Sequence, residues 1–365
     1  MKAAIIPFQL AAGLRPLRYL TADFLIPVAG KPLAEHLVEF CVSSGIGEIL
    51  LLVEDDPGAV ERYFGTGERW GAVIQVKSVD ENLPLTLQLA AAFEGLEGAV
   101  CCLPANMLVA GDFSLPAAEA ASRSLPVVAG EPGAPALFVA DAGFLHEALQ
   151  TFGAMDYIGL LKFLKSAENQ PFICKLKCRL LTNLKEYLEA QRLILDESWP
   201  GVRIPGSRRE DGIWIGDHVT IASRITLVPP LLIGHHCRID GSGTIGPNAV
   251  IAPFCLVNDT DLIEESVLLP GTATGPHTEL SHLVVRGSRI VNARSGISVT
   301  SPDAFILGEI GKTDEKKPAR TGYLLIVLLA AVLGMLLWFF LNQALPYSAH
   351  MVAVVDITFF NADEP

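Results

Sequence analysis

The chain has 365 residues, which is enough for two globular domains and additional segments. Half of its residues are hydrophobic, its net charge is −13, and it carries no extended run of Lys and Arg, which argues against nucleic-acid binding because that requires neutralising phosphates. We interpret its seven cysteines as reduced core residues. Cys174 and Cys178 lack a second pair at zinc-ligand spacing, so no metal site is predicted there.

The first 200 residues alternate apolar strand-like runs with helical stretches. This pattern predicts the doubly wound α/β fold, a parallel sheet covered by helices. The predicted strands cover residues 3–6, 48–54, 73–79 and 99–103, and the predicted helices cover 33–42 and 83–93. Because ligands of such sheets bind beyond the carboxyl ends of the strands, we expect functional residues in segments 7–15, 21–31 and 104–108.

Three short segments follow the first strand in a recognisable order. Residues 14–17 read LRPL, residues 25–28 read LIPV and residues 30–32 read GKP. In this order they resemble the start of the sugar-nucleotidyltransferases, the nucleoside-diphosphate-sugar pyrophosphorylases. The resemblance implies a Rossmann-like nucleotidyltransferase domain over residues 1–200, in which a glycine-rich loop holds the nucleoside triphosphate.

The residues that carry the chemistry of this family are replaced in the loop. Phe8, Gln9 and Ala11 stand where the glycines of the family fall. Glycine allows the backbone to approach a phosphate closely because it has no Cβ. Gly13 replaces the arginine that neutralises phosphate, and Asp23 replaces a lysine. Changing attraction into repulsion between unit charges about 4 Å apart is worth several kcal/mol, so the resemblance implies loss of nucleotide binding or catalysis.

The metal-binding carboxylates of the family are replaced as well. Residues 103–106 read LPAN and resemble Leu-x-Gly-Asp, so Asn106 replaces the first carboxylate, and Leu180 falls at the position of the second. Mg²⁺ is implied only if the enzyme is active, and no catalytic or metal-binding residue is predicted otherwise. Arg15 and Lys31 remain as candidate anion contacts. Together with Phe8, Gln9 and Ala11, they form the predicted remnant of a nucleotide-binding site.

An aliphatic residue recurs every six positions in the middle of the chain. The series is Ile215, Ile221, Leu227, Ile233, Ile239, Ile245, Ile251, Val257, Ile263 and Leu269. A six-residue period is typical of β-helices, in which stacked repeats form one continuous core. The series resembles the left-handed parallel β-helix of hexapeptide-repeat proteins, and we predict this fold for residues 201–300.

The predicted β-helix admits two functional interpretations. Hexapeptide acyltransferases use a histidine as general base, and the candidates between the anchors are His218, His235, His236, His277 and His282. Outward-facing polar residues are also expected at such positions without any catalytic role. In sugar-nucleotidyltransferases the β-helix is an assembly or regulatory domain, and the resemblance of the N-terminal segments favours this second interpretation.

Residues 322–341 contain no charge and are long enough for a helix that crosses a hydrocarbon layer of ~30 Å. Lys and Arg precede this segment and none follows it. The positive-inside rule therefore predicts cytoplasmic N-terminal domains, a charged linker at 301–321, a single membrane helix at 322–342 and a short tail at 343–365 across the cytoplasmic membrane. A re-entrant hairpin near Pro346 is the alternative topology.

The resulting hypothesis is a membrane-anchored, catalytically inactive relative of the sugar-nucleotidyltransferases. It would act as a scaffold or regulator in nucleotide-sugar or polysaccharide and glycan assembly. The expected partners are the membrane and a homo- or hetero-oligomer that includes an active nucleotidyltransferase or a glycosyltransferase. One alternative is an active sugar-1-phosphate nucleotidyltransferase tethered to the membrane. Another is the nucleotidyltransferase-like part of a membrane sugar transferase.

Overall fold

The computed structural model describes residues 1–7, 13–113, 126–130, 137–152, 155–166, 172–210, 212–310 and 330–340. Contacts divide the chain into two units, Met1–Gly311 and Lys312–Pro365. The first unit contains both the α/β region and the repeats. It carries the candidate functional site, and the second unit is described separately below.

Eleven strands and several helices build the α/β region. The strands are β1 (Lys2–Ile6), β2 (Pro27–Val28), β3 (Lys31–Pro32), β4 (Glu48–Val53), β5 (Val73–Ser78), β6 (Ala99–Pro104), β7 (Met107–Ala110), β8 (Val127–Ala129), β9 (Leu137–Asp141), β10 (Phe172–Cys174) and β11 (Lys177–Leu180). The helices are α1 (Arg15–Arg18), α2 (Leu33–Ser43), α3 (Pro57–Phe64) and α4 (Leu85–Phe93), followed by Ala142–Phe152, Tyr157–Leu164 and Leu184–Leu195. Short 3-10 turns cover Asp23–Leu25 and Glu68–Trp70.

The main sheet has seven strands in the order β10-β8-β9-β6-β1-β4-β5. β1 pairs in parallel with β4 and β6, and β4 pairs in parallel with β5, as the sequence predicts. β9 is antiparallel to both β6 and β8, so the sheet is mixed rather than purely parallel. The predicted strands and helices fall within two residues of the observed ones. The antiparallel strand was not predicted.

Helices cover the main sheet on both faces, and for this reason its central strands β1, β4 and β6 are largely apolar. Ala3 and Ile5 of β1 lie in one buried cluster, whereas Ala4 and Ile6 lie in the other. Successive side chains of a strand point to opposite faces, so this alternation follows directly from strand geometry. The carboxyl ends of β1, β4 and β6 therefore rest on a rigid core.

The C-terminal strands form three separate sheets that are mainly parallel, and the first strand, Ser207–Glu210, is antiparallel to the next. They are β12 (Ser207–Glu210), β13 (Ile213–Ile215), β14 (Thr220–Ile221), β15 (Arg224–Leu227), β16 (Leu231–Ile233), β17 (Arg238–Asp240), β18 (Ser242–Ile245), β19 (Ala249–Ile251), β20 (Leu256–Asn258), β21 (Leu262–Glu264), β22 (Val267–Leu268), β23 (Thr272–Thr274), β24 (Glu279–Ser281) and β25 (Leu283–Arg286). β26 (Arg289–Asn292), β27 (Ser298–Thr300) and β28 (Leu307–Glu309) are antiparallel additions at the end.

Each strand from β13 to β22 pairs in parallel with the strand three places further along the chain. Ile215 lies beside Ile233, and Ile233 lies beside Ile251, so one coil takes eighteen residues. Most of the predicted anchors lie in a single buried cluster. Three parallel sheets with this register fit the predicted β-helix, and its handedness stays a prediction.

The repeat is one residue short in its later part. Ile251 pairs with Leu268, whereas the six-residue series predicts Leu269 at that place. Ala249 and Val250 of the earlier coil lie beside Ser266 and Val267 of the later one. Ala249 is four residues after Ile245, whereas Ser266 is only three after Ile263, so the turn after Ile263 is one residue shorter. Leu269 instead joins the apolar cluster of the α/β region. The prediction for this anchor is therefore corrected by one position.

One outer face of the β-helix-like region packs against the α/β region. The side chains that alternate with the anchors of this sheet are Leu232, Val250, Val267 and Val284, each about 1% exposed. They belong to the same buried cluster as Ile5 of β1. A continuous apolar core of this kind explains why residues 1–311 form one compact unit.

In the second unit, the described residues 330–340 form a helix whose side chains are all exposed. Within the described ranges, no helix is long and apolar enough to cross a membrane. The predicted membrane helix at 322–342 and the single-pass localisation derived from it are therefore wrong on this finding.

Candidate nucleotide site

The candidate site lies at the carboxyl ends of β1, β4 and β6, where parallel sheets bind their ligands. The predicted loop residues Phe8, Gln9 and Ala11 fall outside the described residues. The loop from Gly13 to Pro32 is described, and it consists of α1, one 3-10 turn and the short β2–β3 hairpin. It carries four of the predicted positions.

The β2–β3 hairpin is held by the helix Leu184–Leu195. Tyr187 donates from its hydroxyl to the Pro27 carbonyl at 2.7 Å, and Gln191 donates to the same oxygen at 3.0 Å. The Ala29 amide donates to Gln191 Oε1 at 2.5 Å. The resemblance identified this region from the LIPV and GKP segments, but it did not predict that polar side chains from a distant helix fix its backbone.

Gly13 lies against the start of that same helix. It forms a parallel bridge with Asn183. A Cβ at this position would lie 2.5 Å from the Thr182 carbonyl oxygen and 2.8 Å from Asn183 Cβ. An arginine of the kind that the resemblance places here would therefore require the backbone to move. The packing around Gly13 therefore leaves no room for a side chain.

Asp23 is buried and forms an ion pair with Arg18. Arg18 Nε donates to Asp23 Oδ2 at 2.6 Å, and the Asp23 side chain is about 7% exposed. Burial raises the pKa of the Asp23 carboxyl above its usual value, and the neighbouring guanidinium opposes that shift. The negative charge that replaces a family lysine is thus neutralised inside the loop.

Further carboxylates surround the Arg18 guanidinium. Glu54, directly after β4, approaches it at 3.5 Å, and Glu81, after β5, approaches at 3.6 Å. Gln88 of α4 donates to Glu54 at 2.9 Å, which ties the cluster to the helix behind it. One guanidinium therefore faces three carboxylates at this edge of the sheet. The potential here is unfavourable for a triphosphate.

Asn106 and Leu180 come close together, as the resemblance implies for the two metal ligands. Leu180 pairs with Met107 across the β7–β11 ladder, and the Leu181 amide donates to the Asn106 carbonyl at 2.7 Å. The Asn106 side chain donates from Nδ2 to the Leu181 carbonyl, also at 2.7 Å. A carboxylate at position 106 would place two acceptors face to face.

The residues present do not fit a catalytic Mg²⁺ ion. Asn106 Oδ1 is buried without a partner, but it is a neutral oxygen, and Leu180 supplies none. Mg²⁺ is held in such sites by carboxylates together with substrate phosphates. No group of three or more His, Cys, Asp or Glu side chains able to hold a metal occurs among the described residues.

The two candidate anion contacts have different surroundings. Arg15 is exposed on α1. Lys31 is buried and donates to Glu39 Oε2 at 2.5 Å, so its charge is already paired. His36 lies beside it and hydrogen-bonds the Val28 carbonyl at 2.9 Å. Burial, with a smaller contribution from the Lys31 charge, lowers the pKa of His36 to about 4.

Sequence reasoning missed Arg18 and its carboxylate partners. A signal was present, because three successive acids, Glu54, Asp55 and Asp56, stand at the carboxyl end of a predicted strand. Arg18 directly follows the LRPL segment at residues 14–17. Only the folded sheet brings these positions together.

The histidines of the β-helix-like region do not form the dyad that acyl transfer would use. His235 Nδ1 accepts from the Asp217 backbone amide at 2.9 Å, so this nitrogen cannot also donate a proton to the Asp217 carboxylate. The exposed rings of His218 and His236 stack at 4.9 Å, and His236 stacks on Phe254 at 5.1 Å. His277 lies 3.5 Å from Asp261, and His282 accepts from Arg294 at 2.9 Å.

Comparison with known proteins shows a similarity to nucleotidyltransferases. Residues 11–129 match the family model described as Nucleotidyl transferase. The chain is 24% identical over 363 residues to a glucose-1-phosphate thymidylyltransferase of Streptomyces antibioticus, covering 86% of this chain and 99% of that relative. It is 23% identical over 354 residues to a UTP–glucose-1-phosphate uridylyltransferase of Synechocystis, covering 80% and 89%.

A solved structure of a Bacillus anthracis protein titled as a glucose-1-phosphate thymidylyltransferase in complex with a sucrose aligns at 11% identity and a TM-score of 0.47, covering 53% of this chain and 94% of that one. The family model, which covers residues 11–129, and the two relatives support a similarity of this chain to the sugar-nucleotidyltransferases. The resemblance drawn from the LRPL, LIPV and GKP segments is confirmed.

Proposed function

We propose that this protein has the sugar-nucleotidyltransferase fold but no longer transfers nucleotidyl groups, and that it serves as a scaffold or regulator for an active enzyme of nucleotide-sugar metabolism. The observation that carries this proposal is the pair Asn106 and Leu180. They lie together where the family resemblance requires two carboxylates, and neither side chain bears a charge.

Nucleotidyl transfer needs a metal ion because the triphosphate and its leaving group must be neutralised as the bond breaks. In this chain the Asn106 amide is engaged by a backbone carbonyl, and Leu180 offers only carbon. Losing an electrostatic contact of this kind costs roughly 10²–10³-fold in rate for each group removed. Two such losses lower the rate to near background.

The charges beyond β4 and β5 support the same proposal. Arg18 is held by Asp23, Glu54 and Glu81, so its charge is not available to a phosphate. Lys31 is held by Glu39. A triphosphate that approached this edge would meet more negative than positive groups, and the repulsion would weaken binding even without a metal ion.

A protein that keeps the fold of an enzyme but not its catalytic groups is suited to a role in assembly. The two relatives are named as enzymes that act on glucose 1-phosphate, and the alignments extend over most of this chain. We infer that the partner is an active nucleotidyltransferase or a glycosyltransferase. The β-helix predicted for residues 201–300 would contribute to a homo- or hetero-oligomer.

Pyrophosphate release tests the catalytic half of the proposal. The full chain is incubated with glucose 1-phosphate, Mg²⁺ and either dTTP or UTP, with an active thymidylyltransferase as positive control. We expect no release above the enzyme-free blank. Release that disappears in Asn106→Ala would overturn the proposal and support the alternative of an active transferase.

The regulatory half is tested with the same assay run on an active relative. Adding the full chain at stoichiometric amounts should change kcat or KM of that enzyme, and both proteins should co-elute in size-exclusion chromatography. The variant Thr226→Asp, on an exposed strand of the β-helix-like region, is a folded control. Unchanged kinetics together with separate elution, across the relatives tested, would contradict this half.

The active-enzyme alternative has one observation in its favour. Both relatives are named as transferases, and the chain spans 99% and 89% of their lengths. Activity would then require metal ligands other than Asn106 and Leu180. The pyrophosphate assay decides between the two functions.

A further inference from the structure

The β25–β26 hairpin of the β-helix-like region reaches the candidate nucleotide loop. Arg286 ends β25 and Arg289 begins β26, on the two sides of the turn. Arg286 Nη1 donates to the Leu20 carbonyl, and Arg289 Nη1 donates to the Tyr19 carbonyl at 2.6 Å. These partners are 266 and 270 residues apart in the chain. We call Arg286 and Arg289 the hairpin clamp.

The carbonyls that the clamp contacts follow the end of α1. This helix has only four residues, Arg15–Arg18, so it is a single turn with little stability of its own. The carbonyls at the end of a helix lack intrahelical partners, and cationic side chains there are favourable both as donors and through the helix dipole. The clamp supplies such donors from outside the loop.

The clamp acts next to the ion pair of the loop. Arg18 immediately precedes Tyr19, and Asp23 lies three residues after Leu20. The carboxylates of Asp23 and Glu54 therefore hold one side of this short segment through Arg18, while the clamp holds the carbonyls that follow. A change in the ion pair or in the clamp must therefore displace the same residues, 18–23.

A third contact lies further along the loop. Gly30 has a φ of +81°, and a Cβ there would lie 2.6 Å from Leu232 Cδ2 and 2.9 Å from Pro205 Cγ. The end of the loop is thus fitted against the same β-helix face that the hairpin extends. Tyr19, in the first half of the loop, and Gly30, near its end, therefore both contact the C-terminal part of the unit.

We propose that the hairpin clamp holds residues 18–23 in their observed conformation and couples the candidate site to the end of the β-helix-like region. A partner that displaced the β25–β26 hairpin would release Tyr19 and Leu20, and with them the Arg18–Asp23 pair. Because coupling is reciprocal, a change at the Arg18–Asp23 pair would also loosen the hairpin. The coupling does not depend on whether the protein is an active enzyme.

Hydrogen–deuterium exchange on the full chain tests the first direction. In Arg286→Ala and Arg289→Ala, we expect a peptide covering residues 17–26 to exchange roughly three- to tenfold faster, while peptides from β1 and β4 remain protected. Arg294→Ala is the matched control, because Arg294 is exposed nearby and hydrogen-bonds His282 instead of the loop. Arg289→Lys keeps one donor and should give an intermediate rate, which preserves the test if alanine unfolds the chain.

The reverse direction uses Asp23→Asn, which weakens the ion pair without touching the hairpin. We expect a peptide covering residues 283–292 to exchange faster than in the unaltered chain, with the strands at 249–251 unchanged. Unchanged exchange of residues 17–26 in both clamp variants would overturn the proposal. The proposal would also be overturned if residues 17–26 exchanged faster in the clamp variants but residues 283–292 did not exchange faster in Asp23→Asn. Pyrophosphate release plays no part in either readout, so these outcomes are independent of the proposed function.

Discussion

The candidate loop and the β-helix-like region keep different properties of their family. In the loop, residues 25–28 and 30–32 resemble the family, while Gly13 and Asp23 stand where the resemblance implies charged groups. In the C-terminal strands, both the inward anchors and the outward residues that contact the α/β region are apolar and buried. Packing positions support the fold in both regions, whereas the groups that would handle phosphate are changed.

The interface between the two regions gives the largest expected effect. Val250 is about 1% exposed and faces the α/β core. Val250→Asp buries an unpaired carboxylate, so we expect the free energy of unfolding to fall by about 3–5 kcal/mol. Thr226→Asp, on an exposed strand, should change it by less than about 0.5 kcal/mol. Denaturant unfolding measures both, and equal effects would contradict a shared core.

Acid pH should destabilise the loop through His36. Its folded pKa is about 4 against an ordinary 6.5, so between these values the unfolded chain binds a proton that the folded chain does not. The free energy of unfolding should therefore fall as the pH drops through this window, by up to ~3 kcal/mol. His36→Gln should lose that part of the slope. His277→Gln, largely exposed, is the control and should keep it.

Asn106→Asp restores the family carboxylate, yet we expect it to destabilise the protein. The donor to the Leu181 carbonyl is lost, and a buried carboxylate faces another acceptor. We expect a loss of about 2–3 kcal/mol in the free energy of unfolding and no gain of pyrophosphate release. Gln75→Glu, the same chemical change at an exposed strand residue, is the control. Pyrophosphate release by Asn106→Asp would contradict this expectation, because it would show that a single carboxylate restores catalysis.

The smallest effect concerns the ion pair of the loop. A double-mutant cycle of Arg18→Gln with Asp23→Asn should give a coupling energy of about 1–2 kcal/mol, because both groups are largely withdrawn from water. The exposed pair Arg192 and Glu189 should give about 0.5 kcal/mol or less. Equal coupling in the two cycles would mean that Asp23 is not held as described.

Much of the α/β fold could be predicted, because residues 3–6, 48–54 and 99–103 are apolar runs whose burial on both faces leaves little choice. The roles of Asn106 and Leu180 as neighbours also followed from the family resemblance. The ion pair of Asp23 could not be predicted. The resemblance placed the Asp23 carboxylate opposite a phosphate, whereas in the structure it contacts Arg18.

Other features needed three dimensions. Leu232 and Val250 recur at the coil spacing of eighteen residues, but the six-residue series drew attention to the inward anchors beside them. The shortened turn before Leu268 is a difference of a single residue, which a fixed period conceals. The membrane helix was predicted from the length and apolar composition of residues 322–341, and among the described residues no helix is long and apolar enough to cross a membrane.

Binding of a nucleoside triphosphate tests the central claim most directly. Isothermal titration calorimetry of the full chain with dTTP or UTP in the presence of Mg²⁺ is compared with an active thymidylyltransferase under the same conditions. With Asp23 paired to Arg18 and Asn106 committed to a carbonyl, the predicted result is no heat of binding up to millimolar ligand. Micromolar affinity that is lost in Arg15→Ala would contradict the account.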